Sequence, residues 1–92
     1  MQNELKQIVD HYGKDAQVVQ CVEELNELSC AILQYRKRRL SKQFDNVIEE
    51  IADVEIMLAQ IKYLYGIGND FIEAIKQEKI ERQLKRMESE GK

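Results

Sequence analysis

The segment from Val47 to Tyr65 places two apolar stripes on one helix, and this pattern restricts the fold more than any other feature of the sequence. At about 100° per residue these apolar residues fall on two separate faces, so the helix has to be covered on both sides. Glu50 lies within the first stripe and Asp53 lies at its edge. A buried unpaired charge is costly, so Glu50 is protonated, paired or directed towards a cation. The first stripe comprises Val47, Ile51, Val54, Leu58, Ile61 and Tyr65, and the second comprises Ile48, Ala52, Ile56, Ala59 and Tyr63.

Composition predicts a single all-α domain over residues 1–92, because the chain has no proline, four glycines and many good helix formers. A domain of this size buries little area per residue, so we expect a second copy to associate with it. The net charge of −3 argues against a nucleic-acid partner, and no apolar run has the roughly 20 residues needed to span a membrane. Because Cys21 and Cys30 are too far apart on one helix for a disulfide and no leader is apparent, we expect a cytoplasmic protein.

Loop signals divide the chain into four predicted helices. We expect helices over residues 3–11, from Lys14 or Asp15 to Arg38, from Phe44 or Asp45 to Tyr65, and from a cap at Asn69 or Asp70 towards Glu90. Gly13 suits a left-handed cap at the end of the first helix, and Gly66 and Gly68 interrupt the chain after the third. The two long helices are predicted to form a hairpin with flanking short helices. This hairpin would pair with that of a second chain in a four-helix-type bundle.

Two acidic pairs with the same spacing indicate a metal site between the long helices. Glu24 and Glu27 lie three residues apart on the second helix, as do Glu50 and Asp53 on the third. Two antiparallel helices can therefore present four carboxylates to one point, an arrangement that a hard cation stabilises. Oxygen ligands without His or Cys favour Mg²⁺, with Mn²⁺ as an alternative, and magnesium suits phosphate chemistry. Either pair alone is more often a solvated helix surface, so the apolar setting of Glu50 is what favours a metal.

The two acidic motifs together resemble those of a known family. Glu-Glu-x-x-Glu at 23–27 and Glu-x-x-Asp at 50–53 are similar to the paired motifs of the MazG-like all-α nucleoside triphosphate pyrophosphohydrolases. The resemblance extends through Tyr12–Gln17 and Lys79–Arg82. It implies cleavage of a nucleoside triphosphate between the α and β phosphates, giving the monophosphate and pyrophosphate, by a homodimer or homotetramer. It also implies that Mg²⁺ is held by Glu24, Glu27, Glu50 and Asp53.

Further candidate residues lie beside the first motif and on the last helix. Glu23 is a candidate catalytic residue, as a further ligand or a base that orients water, and otherwise it is an outward-facing neighbour. Lys79, Arg82 and Arg86 share one helix face and are candidates to bind substrate phosphate. The family resemblance assigns a phosphate contact to Lys79, which is therefore also a catalytic candidate. The alternative is a surface on which these residues pair with neighbouring glutamates.

Three functions are compatible with these features. The first is a Mg²⁺-dependent pyrophosphohydrolase acting on nucleoside triphosphates, with the phosphoribosyl-ATP pyrophosphohydrolases of the same superfamily as a close alternative. The second is a non-enzymatic helical module that dimerises through charged faces. The third, nucleic-acid binding through Arg36 to Lys42, would show a steep salt dependence and is not favoured.

Overall fold

The computed structural model of the protein describes residues 2–91, and these form four α-helices joined by short loops. Helix α1 spans Gln2–Tyr12, α2 spans Lys14–Arg38, α3 spans Ser41–Tyr65 and α4 spans Asn69–Glu90. The predicted all-α class is confirmed for this part of the chain. None of the described helices combines the length and the apolar character that a membrane span requires.

Helices α2 and α3 form an antiparallel hairpin, as predicted, and each is 25 residues long. The shorter α1 packs against both of them. The ammonium groups of Lys6 and Lys14 lie over the rings of Tyr63 and Tyr65, 5.3 and 5.5 Å from the ring centroids, and join α1 and the start of α2 to the end of α3. The apolar core is small and consists of Val9, Cys21, Ala31, Val54 and Met57.

The loop between α2 and α3 is shorter than predicted, because α3 begins at Ser41 instead of Phe44 or Asp45. Only Arg39 and Leu40 remain between the helices. Arg39 adopts a left-handed conformation with φ 54° and ψ 34°, and its backbone N–H donates to the carbonyl of Tyr35 at 2.8 Å. Closing the hairpin in two residues therefore needs a conformation that costs a non-glycine residue roughly 1–2 kcal/mol.

Two of the predicted helix caps are wrong. Gly13 has a positive φ of 94° but a ψ of 155°, so it is not a left-handed helix cap, and α2 follows it directly. The left-handed C-cap conformation occurs instead at Gly66, with φ 65° and ψ 34°. Neither Asn69 nor Asp70 caps α4, because Asn69 is already its first residue and Gly68 takes the cap position.

The face of α3 that is buried against α2 overlaps only one edge of the first predicted apolar stripe. Ile51 and Leu58 from the first stripe stay 42% and 41% exposed, and Ile48 from the second stays 53% exposed. Packing within one chain therefore covers only one face of α3. The face directed towards α2 carries Val47, Glu50, Val54 and Met57.

The hairpin has one polar side and one apolar side, defined by the residues of α2 and α3 that flank their contact. At about 100° per residue, acidic and carboxamide residues of both helices fall on one flank and apolar residues on the other. The polar side carries Glu27, Gln34, Asn46 and Asp53. The apolar side carries Leu25, Ile32, Ile51 and Leu58, which are 41% to 48% exposed. A contiguous exposed apolar surface of this kind is typical of a protein–protein interface.

Helix α4 has no buried residue, and Ile72 is its only half-buried residue within the described structure. Its bounds agree with the helix predicted from Asn69 or Asp70 towards Glu90. With 22 residues it is not a short flanking helix, a description that fits only the 11-residue α1. Its C-terminal half carries an apolar stripe of Ile80, Leu84 and Met87, each 54% to 57% exposed. Helices are stabilised mainly by packing an apolar face, and α4 has very little such packing within the described chain.

Candidate metal centre

Three of the four predicted carboxylate ligands come together between α2 and α3. Glu24 and Glu27 lie on adjacent turns of α2, and Glu50 approaches them from α3. One carboxylate oxygen of each residue lies within 4.8 Å of the corresponding oxygens of the other two. Glu24 and Glu50 are half-buried and Glu27 is exposed, so this carboxylate triad opens to solvent on one side.

Two oxygens of the carboxylate triad have no hydrogen-bond donor. Oε2 of Glu24 and Oε2 of Glu50 are both shut off from solvent and accept no hydrogen bond from the described residues. The other oxygen of Glu24 accepts a hydrogen bond from Nε2 of Gln20 at 2.9 Å. Because a buried acceptor without a donor is destabilising, a proton or a cation would stabilise this arrangement.

The electrostatic surroundings of Glu50 also favour a positive charge. Burial raises the pKa of the Glu50 carboxyl above its ordinary value, and the nearby carboxylates of Glu27, Glu24 and Asp53 raise it further. A hydrogen bond that protonated Glu50 makes with Glu24 acts in the same direction on this pKa. A divalent cation would reverse this effect, because its charge favours ionised carboxylates. The residues present therefore fit a hard cation.

The raised pKa of Glu50 predicts that the metal-free protein loses stability as the pH rises. Below the ordinary pKa of a glutamic acid, the carboxyl is protonated in both the folded and the unfolded chain. As the pH rises from there through the raised folded-state pKa, the unfolded chain ionises first and the folded state is disfavoured. In EDTA, the Glu50→Gln variant should gain Tm relative to the unmodified protein as the pH rises through this range. A difference that is independent of pH would contradict the prediction.

The remaining acidic candidates lie beside the carboxylate triad without belonging to it. Asp53 is exposed on α3, and its charge raises the pKa of Glu50, but its oxygens are not part of the triad. Glu23 is exposed on α2 next to Glu24 and is also outside the triad. Neither residue therefore contributes an oxygen to the triad.

The basic candidates share one face of α4. Lys79, Arg82 and Arg86, together with Gln83, line a surface pocket of about 340 Å³. Helix α4 does not pack extensively against α2 or α3 in the described chain. A single chain therefore does not hold these basic side chains against the carboxylate triad.

A groove beside the triad was not predicted. It has a volume of about 340 Å³, and we call it the amide groove. The α2 residues that line the groove recur at intervals of four, and this spacing is visible in the sequence. Only the register between α2 and α3 shows that these residues face Asn46. Gln20, which supports Glu24, was also missed, although its position one turn before Glu24 is a recognisable signal. The groove is lined by Asn26, Glu27, Cys30, Ala31 and Gln34 from α2, and by Asn46 and Glu50 from α3.

Comparison of the chain with protein-family models, with curated proteins and with solved structures gave no match. Function is therefore inferred from the carboxylate triad, from its surroundings and from the paired acidic motifs of α2 and α3.

Proposed function

We propose that the protein is a Mg²⁺-dependent nucleoside triphosphate pyrophosphohydrolase, which cleaves between the α and β phosphates and releases a ribo- or deoxyribonucleoside monophosphate and pyrophosphate. The carboxylate triad is the observation that carries this proposal. It joins oxygens from two helices within 4.8 Å of one another, and two of its residues have a buried oxygen without a donor. Magnesium prefers such a small set of carboxylates, supplemented by water and substrate phosphates, and Mn²⁺ accepts the same ligands. The resemblance of the paired motifs supplies the reaction.

The residues around the triad support distinct roles in this reaction. Glu24, Glu27 and Glu50 would hold the ion, and Asp53 is a fourth candidate ligand. Bound Mg²⁺ supplies positive charge that lowers the cost of the charge developing on the phosphate oxygens. Glu23, exposed beside the triad, would orient the attacking water and accept its proton.

On α4, Lys79, Arg82 and Arg86 would donate hydrogen bonds to phosphate oxygens of the substrate. Their charge would stabilise the departing pyrophosphate. The shared pocket on one face of α4 supports this role, because it allows several of these donors to reach one ligand.

The working unit in this proposal is a homodimer, or a homotetramer built from it. The apolar sides of two hairpins would pack together as a four-helix-type bundle and leave both polar sides accessible. The exposed apolar stripe of α4 would be covered in the same assembly, which would also position the basic residues of α4. Two free cysteines, Cys21 and Cys30, agree with the reducing cytoplasm as its location.

The proposal is tested by measuring pyrophosphate release from a panel of ribo- and deoxyribonucleoside triphosphates and phosphoribosyl-ATP, with Mg²⁺ and with EDTA. We expect release that requires the metal. Release from phosphoribosyl-ATP alone would identify the related enzyme class. No release from any substrate, together with a Tm that Mg²⁺ does not change, would favour the non-enzymatic dimerisation module.

Replacing Lys79 by glutamine should lower kcat/KM roughly 10- to 100-fold, because a charged hydrogen bond to phosphate contributes ~1.5–3 kcal/mol. Lys76→Gln is the matched control, since Lys76 lies on the same helix and pairs with Glu73 at 3.2 Å on the exposed surface. Stabilisation by Mg²⁺ should be unchanged in both variants. Equal activities in the two variants would remove Lys79 from the site.

A further inference from the structure

The amide groove runs from the carboxylate triad along the polar side of the hairpin, towards the loop between α2 and α3. Glu27 and Glu50 belong both to the triad and to the lining of the groove. From that end, Cys30 and Gln34 follow one another on α2, and Asn46 lies one turn nearer the loop than Glu50 on α3. A molecule whose charged end is bound at the triad would therefore extend into this groove.

The exposed lining of the amide groove is mostly apolar, and three of its side chains beyond the triad are carboxamides. Asn26, Gln34 and Asn46 make no side-chain hydrogen bond within the described structure, so their donors and acceptors are available to a ligand. No lysine or arginine lines the groove, so this part of the site is unsuited to phosphate. An uncharged, largely apolar group with donors and acceptors along one edge is the chemical match.

A nucleobase edge has this chemistry, because the carboxamides of Asn and Gln bind base edges through paired hydrogen bonds. Aromatic stacking is not available in the groove, since no aromatic ring lines it. The nearest candidate in sequence, Tyr35, packs on Phe44 with ring centroids 5.4 Å apart. The volume of about 340 Å³ lies in the range of small-molecule sites, roughly 300–1,000 Å³.

We propose that the nucleoside part of the substrate occupies the amide groove while its triphosphate lies at the carboxylate triad, and that Asn26, Gln34 and Asn46 select the base through hydrogen bonds to its edge. This inference rests on the proposed pyrophosphohydrolase function. It assigns base preference to the hairpin and leaves the basic face of α4 to the phosphates.

Cys30 makes the inference testable without an activity measurement. Its thiol is exposed in the groove, whereas Cys21 is buried at 5% exposure. Burial also raises the pKa of the Cys21 thiol, so Cys21 is an unreactive internal control. Maleimide labelling of each cysteine can be followed over time by peptide mass spectrometry.

The probes are an α,β-methylene nucleoside triphosphate, in which the bond to be cleaved is blocked, and tripolyphosphate, which has the phosphates without the nucleoside. Each is added with Mg²⁺ at ten times the Kd measured from its Tm shift. At that concentration about one site in ten is free, so the nucleotide analogue should slow the labelling of Cys30 about tenfold. Tripolyphosphate should raise the Tm but leave the labelling rate of Cys30 unchanged.

Each other outcome has a definite meaning. Equal protection of Cys30 by both probes would overturn the inference, because it would place phosphate in the groove. A Tm shift by both probes without protection of Cys30 would place the nucleoside elsewhere, and the proposed function would stand. If neither probe changes the Tm and no nucleotide is hydrolysed, the proposed function fails, and the inference fails with it.

The carboxamides themselves are tested by Gln34→Leu, which keeps the size of the side chain and removes its hydrogen bonds. Its kcat/KM for the preferred base should fall roughly tenfold or more, with a smaller loss for the least preferred base. Gln7→Leu is the control, because Gln7 is exposed on α1, away from the groove. Unchanged base preference in both Gln34→Leu and Asn46→Ala would overturn the role assigned to the carboxamides.

Discussion

Replacing Glu50 by glutamine is expected to abolish Mg²⁺-dependent pyrophosphate release and the stabilisation of the fold by Mg²⁺. Glu50 is the one triad residue from α3, so its carboxylate is needed to complete a site between the two helices. At 100 times its Kd, Mg²⁺ should stabilise the unmodified protein by about 2.7 kcal/mol. For a domain of this size that corresponds to a Tm increase of about 10 °C or more. The variant should show no such increase, and its rate should fall at least about 100-fold.

The same variant should be more stable than the unmodified protein when no metal is present. Glutamine removes the charge that Glu24, Glu27 and Asp53 disfavour, and its amide can donate to a neighbouring carboxylate. Glu55→Gln is the matched control, because Glu55 is exposed on the same helix. Scanning calorimetry in Mg²⁺ and in EDTA, with all three proteins, separates these effects. A Glu50→Gln protein that still responds to Mg²⁺ like the unmodified protein would exclude Glu50 as a ligand.

Replacing Ile32 by glutamate is expected to dissociate the proposed dimer. Ile32 lies on the apolar side of the hairpin and is 48% exposed in the single chain. Burying an isoleucine contributes ~1.5–3 kcal/mol, and a twofold interface contains the residue twice. The dimer should therefore be weakened by roughly 3–6 kcal/mol, or about 10²- to 10⁴-fold in Kd. Light scattering should show the unmodified protein at twice its 10.8 kDa chain mass and the variant close to the chain mass.

Leu33→Glu provides the control for this experiment. Leu33 is the next residue of α2 and is 60% exposed, but it points away from the apolar side of the hairpin. The same charge is thus introduced on the same helix, outside the proposed interface. If Leu33→Glu dissociates the protein and Ile32→Glu does not, the dimer forms through the outer surface of α2. If the unmodified protein is a monomer at high concentration, the proposed assembly is wrong.

The sequence was sufficient to predict the four helices, the hairpin and the carboxylates of the triad. Spacing by three along two antiparallel helices is a local property, and it predicts that Glu24 and Glu27 meet Glu50. The sequence could not show which apolar residues are covered within one chain. Ile51 and Val54 are both apolar and lie in the same stripe, but only the packing of α2 on α3 decides that Val54 is buried and Ile51 exposed.

The loop and the amide groove were not predictable for a related reason. No residue type signals a left-handed conformation at Arg39, because it is imposed by the closure of the hairpin in two residues. The groove depends on which residues of α2 lie opposite Asn46, and that register follows from the same closure. The hairpin and the meeting of its acidic pairs were therefore predictable from spacing, whereas the exact register between the two helices was not.

In the proposed dimer, helix α4 would link the amount of protein present to the arrangement of its basic residues. Its exposed residues contribute almost no packing within one chain, and isolated helices of moderate length are only marginally stable in water. A second chain would cover the apolar stripe of α4 and so hold the helix in place more firmly than one chain does. Dilution below the dimer Kd would loosen α4 while the hairpin and its triad stay folded. Concentration would then determine how many chains have Lys79 in place, and the protein would lose turnover per chain before it lost its fold.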